Sequence, residues 1–233
     1  SSYGYLSGYK KPKGLTEQTN RLQELFPGLG FANQELLTQI EKGEVKLPKS
    51  AEGWFAIPNW IKNPTIFGAT YSEALQKVIN TIKQTRDGKF YNYREGQIDE
   101  KHIRQSARTL KFFDELSETQ GNPDILIFSA QFGIRHRGKS VRRVREVFAV
   151  SEFGFGAFAV GIMILTHSER LQHYDDLYID CAGDEWSSQA DGVFGNAPIF
   201  GFGGGGVRFN ARRVDFANEY YGSASGFLFS LPQ

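Results

Sequence analysis

Residues 124–148 read DILIFSAQFGIRHRGKSVRRVREVF, and the chain changes character there. An apolar run, Ile125 to Phe128, leads to Gly133, a dense basic turn follows, and arginine keeps recurring from Val141 onward. A short apolar run bounded by Pro123 and polar residues predicts a buried strand. Upstream, apolar residues recur at helical spacing; downstream, short alternations stand between glycines. The expected fold class is α+β, with mixed α/β as the variant. A helical N-terminal half and a strand- and turn-rich C-terminal half pack as one compact unit.

Upstream, residues 1–14 form an extended arm, broken by Gly4, Gly8, Pro12 and Gly14, with three tyrosines to dock on the body or a partner. Residues 15–233 make a single composite domain, since no long repeat or low-complexity linker divides them. A first helix is expected from the cap Thr16, with Leu22, Leu25 and Phe26 on one side and Pro27-Gly28 as its stop. A second starts near Asn33. GWFAIPNW at 53–60 reads as a strand interrupted by Pro58. Thr70 and Glu73 make a capping box for a helix with Leu75, Val78, Ile79 and Ile82 as its stripe. KFYNYR at 89–94 reads as a half-buried strand or as rings among cations, a base-stacking platform. The longest helix is expected from Asp99 to Thr119, with Ile103, Ala107, Leu110, Phe113 and Leu116 inward.

Downstream, 144–150 ends a helix or begins a strand, and 157–165 fits a buried helix or a strand equally well. Thr166 and Glu169 predict a second capping box and a short helix over 167–174. Leu177 to Cys181 is a strand. GFGGGG at 201–206 is a flexible loop or hairpin end, without the strand–helix context of a dinucleotide site. The tail reads as short strands and turns.

Composition sets limits. The chain of 233 residues can bury a sizeable core, and its 40% hydrophobic and 23% charged residues are ordinary globular usage. Twenty Phe against one Met predict a core of rigid rings. A net charge of +1 argues against a surface built wholly for nucleic acid and leaves room for a local basic patch. The lone Cys181 excludes an internal disulfide and a cysteine zinc cage. The longest apolar run, Phe153 to Leu165, is shorter than the roughly 20 residues of a membrane helix. Ser1 to Lys13 lacks the apolar segment of a signal peptide. A cytoplasmic protein without membrane association is expected.

Gly133, Gly138, Lys139 and Ser140 stand at the spacing G-x-x-x-x-G-K-S. In this string, and in LYID at 177–180 with Asp184 and Glu185 after it, Asp124 to Glu185 resembles P-loop nucleoside triphosphatases. The resemblance implies that Lys139 reaches the outer phosphates, that Ser140 holds Mg2+ and that Asp180 orients it. Mg2+ is expected on this reading alone. Ile134, Arg135, His136 and Arg137 are bulky where a backbone must approach phosphate closely. Arginines at the start of the following helix oppose its dipole unless an anion is bound.

The charge pattern stands apart from the motif. Arg135, Arg137, Lys139, Arg142, Arg143 and Arg145 fall in one short stretch without an acid, together with His136. Acids gather later: Glu169, Asp175, Asp176, Asp180, Asp184, Glu185 and Asp191, against Arg170. The two blocks pair with each other, form a solvated face, or grip an oxyanion, for which arginine forks are suited.

The expected function is binding of a phosphate-bearing ligand, nucleotide or nucleic acid, through 133–145. Gly133, Arg135, His136, Arg137, Gly138, Lys139, Ser140 and Arg142 are the candidate ligand-binding residues. Catalysis is left open; the candidates are His136, as acid or base, and Asp180, Asp184 and Glu185, which would hold a divalent ion. Among these, Asp180 is the metal candidate. His167 and His173 do not share a helix face, a poor spacing for a metal pair. Cys181 after Asp180 reads as core, and Ser223 to Gly226 is not a nucleophile elbow. The alternatives are a noncatalytic self-assembling protein joined through its N-terminal arm, and a P-loop-like triphosphatase.

Overall fold

The computed structural model describes residues 4–232, so Ser1, Ser2, Tyr3 and Gln233 lie outside it. Among the described residues there are seven α-helices and eleven strands in two sheets, an α+β fold. In chain order they are α1 (Leu15–Leu25), α2 (Gln34–Glu41), β1 (Gly53–Pro58), α3 (Pro64–Phe67), α4 (Tyr71–Thr85), β2 (Phe90–Asn92), β3 (Ile103–Gln105), α5 (Ala107–Thr119) and β4 (Ile125–Gln131). Then come α6 (Val141–Val147), β5 (Glu152–Gly154), α7 (Ala157–Thr166), β6 (Tyr178–Asp180), β7 (Asp184–Trp186), β8 (Asn196–Gly203), β9 (Gly206–Arg213), β10 (Tyr221–Ser223) and β11 (Ser225–Phe227).

The first sheet is antiparallel, in the order β1-β4-β11-β5. Every residue of β4 is buried, which explains why it reads as a continuous apolar run. The second sheet is mixed: β6 pairs with β10 in parallel and with β8 antiparallel, β8 pairs with β9, and β9 with β2 in parallel. At the buried Ala224 the chain passes from β10 in the second sheet to β11 in the first. Helix α7 touches β1 of one sheet and β8 of the other, and all ten of its residues are buried. That burial removed the periodicity which would have identified 157–165 as helix. Gly161 lets α7 approach α4; a Cβ there would stand 2.6 Å from Val78 Cγ1.

Several local expectations hold. The capping box of α4 forms through Thr70 and Glu73, with Leu75, Val78, Ile79 and Ile82 buried. Asn33 caps α2, and 144–150 ends a helix. GFGGGG closes the β8–β9 hairpin, with Gly204 (φ 61°) and Gly205 (φ 83°) at the turn.

Others are corrected. Helix α1 begins at Leu15 behind Gly14, ahead of Thr16. Pro58 ends β1, still in register with Ile125, and does not interrupt it. Helix α5 begins at Ala107, not Asp99. Ile103 and Gln105 pair with Trp186 and Asp184, and Ser106 caps the helix by accepting from Thr109 N–H. Cross-strand pairing outweighs the helical pattern of 99–106. Thr109, Phe112 and Leu116 are then the buried residues, and Leu110 is exposed. The second capping box is absent. The Thr166 hydroxyl donates back to Ile162 and Met163 carbonyls, and only a 3-10 turn forms, over Ser168–Arg170.

The arm lies along the body. Tyr9 is buried and its hydroxyl donates to Glu52 Oε2 at 2.6 Å; Tyr5 donates to the other oxygen of the same carboxylate. Burial and the Glu52 charge hold both phenols well above their ordinary range. Ser7 binds Asp176, and Lys13 N–H donates to His167 Nε2. Tyr5 and Tyr9 are therefore engaged within their own chain.

Candidate ligand-binding face

The basic turn is seated on β10. Gly133 (φ 123°) and Gly138 (φ 82°) take conformations that favour glycine, and a Cβ on Gly133 would stand 3.1 Å from the Gly222 carbonyl oxygen. Gly138 N–H donates to the Tyr221 carbonyl. Between the glycines, a 3-10 turn over Ile134–His136 faces the buried Glu152. Arg135 donates to Glu152 through Nε (3.1 Å) and Nη2 (3.3 Å), His136 Nε2 pairs with it at 2.6 Å, and Ser225 Oγ donates at 2.7 Å. Burial alone would raise the Glu152 carboxyl. The bonds from His136, Ser225 and Arg135 outweigh it and bring the group to about 2.

The other turn residues also have local work. Ser140 caps α6 by accepting from Arg143 N–H, and Lys139 Nζ reaches the Arg135 carbonyl at 3.3 Å. Arg145 donates to the carbonyls of Ala182 and Asp184, Arg143 pairs with Glu146, and Arg137 Nε donates to the Glu219 carbonyl. Arg142 is exposed on α6. This is not the geometry of a phosphate loop. The preceding strand β4 pairs antiparallel on both sides, and the loop's serine is occupied as a helix cap. Three acids of the later block pair outside the basic one: Glu169 with Lys13, Glu185 with Arg104, and Asp176 with Ser7.

The three candidate metal-holding acids do not converge. Asp184 is buried at the start of α7, where Tyr71 Oη donates to both oxygens (2.9 and 2.8 Å) and Ala157 N–H to one (2.6 Å). Glu185 points to the opposite side of β7, onto Arg104. Asp180 lies on β6, in the second sheet beside Arg212. Burial lifts the Asp180 and Asp184 carboxyls to about 7 each. Among the described residues, no cluster of three or more His, Cys, Asp or Glu is placed to hold a metal ion. His167 Nε2 is taken by Lys13 and buried, which depresses the ring to about 4.

A different arrangement appears on the outer face of the second sheet. Strand register sets Tyr221 beside Tyr178, then Gly201, Arg208 and Tyr91 in one row. The next row runs Ser223, Asp180, Ile199, Asn210, with Tyr93 beyond. Gly201 is required here because a Cβ would collide with the Tyr178 ring, and at Gly203 it would stand 2.6 Å from Arg208 Cζ. Glycine thus lets a ring and a guanidinium lie flat on the sheet. One step along, Arg212 is stacked, its Cζ 3.6 Å from the Phe216 ring centre and 4.0 Å from that of Tyr221. Helix α6 borders this end, with Val141 and Val144 packed on Ala182, Ala197 and Val214. The basic segment and the sheet face therefore adjoin.

Tyr93, Tyr178, Ile199, Gly201, Arg208, Asn210, Arg212 and Tyr221 enclose a cavity of about 250 Å3. Arg208 Nε, Arg212 Nη1 and Ser223 Oγ are buried and have no hydrogen-bond partner. Asn210 Oδ1 accepts from Arg94 Nε and Ala211 N–H, which leaves its amino group to donate. A larger concavity, about 870 Å3, lies between α1 and the ends of α4 and α7. Its cations are already paired: Lys13 with Glu169, Arg21 with Glu24, and Arg86 with the carbonyls of Leu171 and Ser168.

Of the residues in these two rows, the sequence opens Tyr91 and Tyr93, in KFYNYR, to base stacking and Asp180 to a metal role. The signal for the rest is the alternation in VRFNAR at 207–212, which puts Arg208, Asn210 and Arg212 on one face. No protein-family model, curated protein or solved structure matches the chain.

Proposed function

We propose that the protein binds a phosphate-bearing ligand, a nucleotide or nucleic acid, on the outer face of the second sheet, with the basic segment 133–145 as its rim. The observation that carries this reading is the pair Arg208 and Arg212, whose Nε and Nη1 donors are buried beside a cavity without an acceptor. An unsatisfied buried donor costs about 1–3 kcal/mol, and a phosphate oxygen removes that cost. Guanidinium forks match the geometry of such an oxyanion, and the Asn210 amino group adds a donor between them. Arg137, Lys139 and Arg142 contribute long-range attraction from the rim and Gly133 and Gly138 its backbone shape, while Arg135, His136 and Ser140 hold the turn in place.

Calorimetric titration at low salt with pyrophosphate, a nucleoside monophosphate and a short single-stranded oligonucleotide tests this. At least one should bind, with affinity falling as salt rises and weakening in Arg208→Ala and Arg212→Ala. Absence of binding by all three, or equal binding to both variants, overturns the reading.

A further inference from the structure

We infer that the ligand is single-stranded nucleic acid, laid across β10, β6, β8, β9 and β2 with its bases against the tyrosines of the outer face. The inference rests on the phosphate-ligand reading and narrows it.

Aromatic rings stand at both ends of the platform. Tyr178 and Tyr221 lie together at one end, their centroids 4.8 Å apart, and Tyr91 and Tyr93 at the other. Between them lie the guanidinium of Arg208 and the amide of Asn210. Five adjacent strands span about 19 Å, room for about three extended nucleotides and too wide for one. Tyr93 is 56% exposed and Tyr91 44%, so ring surface is available without rearrangement.

Charge complements this shape. Arg208 and Arg212 lie on the platform itself, and Arg142 and Arg143 stand on α6 at its border. The ring–cation alternation is what sequence-tolerant single-strand binding uses: bases stack on rings while cations follow the backbone. A duplex hides its base faces and has no use for the tyrosines. The glycines of β8 serve the same end, since Gly201 and Gly203 keep the middle of the platform low under Tyr178 and Arg208.

Fluorescence anisotropy with labelled oligothymidylate and oligouridylate, competed by pyrophosphate, a nucleoside monophosphate and a duplex, tests the inference. Either single strand should bind, with log K falling against log salt at a slope of about −2 for three phosphates. Tyr93→Ala should weaken binding about tenfold while the melting temperature stays unchanged, because the residue is exposed. Tyr178→Leu should act in the same direction; if it does not fold, Tyr93→Ala alone decides. If pyrophosphate, the monophosphate or the duplex binds as tightly as the single strands, or Tyr93→Ala changes nothing, the inference falls and the broader phosphate reading stands. If nothing binds, both fall.

Discussion

Replacing Glu152 with glutamine keeps the shape of the side chain and removes the charge that holds the basic turn to β11 and β5. The carboxylate accepts from both sides of the Arg135 fork, from Ser225 Oγ and from Ala149 N–H, and pairs with His136. A glutamine has one accepting oxygen, and its amino group would face donors. The magnitude follows from the carboxyl lying at about 2 instead of its ordinary 4.5. At about 1.4 kcal/mol per tenfold, that difference is worth about 3 kcal/mol of stability at neutral pH. Breaking a buried charged cluster from one side costs a similar amount, about 3–5 kcal/mol. The folded-state value is depressed, so the contribution is present above about pH 4.5 and is lost as pH falls toward 2. Urea unfolding followed by circular dichroism at pH 7, 4 and 3 should show Glu152→Gln less stable by about 3 kcal/mol at pH 7, and by less than half of that at pH 3. A deficit of equal size at pH 7 and pH 3, or none at pH 7, refutes the assignment of Glu152 as the ionised centre of the turn.

Asp180→Asn should flatten the pH dependence of stability between about pH 4 and 7. Burial raises the Asp180 carboxyl from 3.8 to about 7, so its favourable contribution is full below about pH 4 and is lost as pH rises through 7, about 4 kcal/mol in all. Asp184 carries a shift of the same direction and size, so urea midpoints between pH 4 and 9 should keep about half the wild-type slope. Unchanged slopes would mean that Asp180 ionises freely. Gly161→Val should cost about 1–3 kcal/mol by forcing α7 away from α4, since the first added carbon already meets Val78 Cγ1 at 2.6 Å. A neutral result in chemical denaturation would show that the two helices do not pack through that glycine.

What could be read along the chain was whatever depends on neighbours in sequence. The helix start near Asn33, the capping box at Thr70, the α4 stripe, the strand after Pro123 and the glycine turn at 204–205 follow from local conformational preference, and each is present. The α+β class followed from the same periodicities. Where a partner distant in sequence decides, local pattern fails. The segment 103–105 is a strand because Asp184 and Trp186 lie beside it, and α7 shows no stripe because both sheets bury it. The basic turn gives the same lesson for function. Its cations were visible as a block, but Glu152, a few residues on, claims Arg135 and His136, and backbone carbonyls claim Arg137, Lys139 and Arg145. The platform beside it was invisible because its residues come from five strands scattered between Tyr91 and Ser223, and only hydrogen-bond register sets them in rows. Sequence determined which segments bend, cap and alternate. Tertiary pairing decided which arginines are left with donors to offer, because that depends on which acceptors the fold brings within reach.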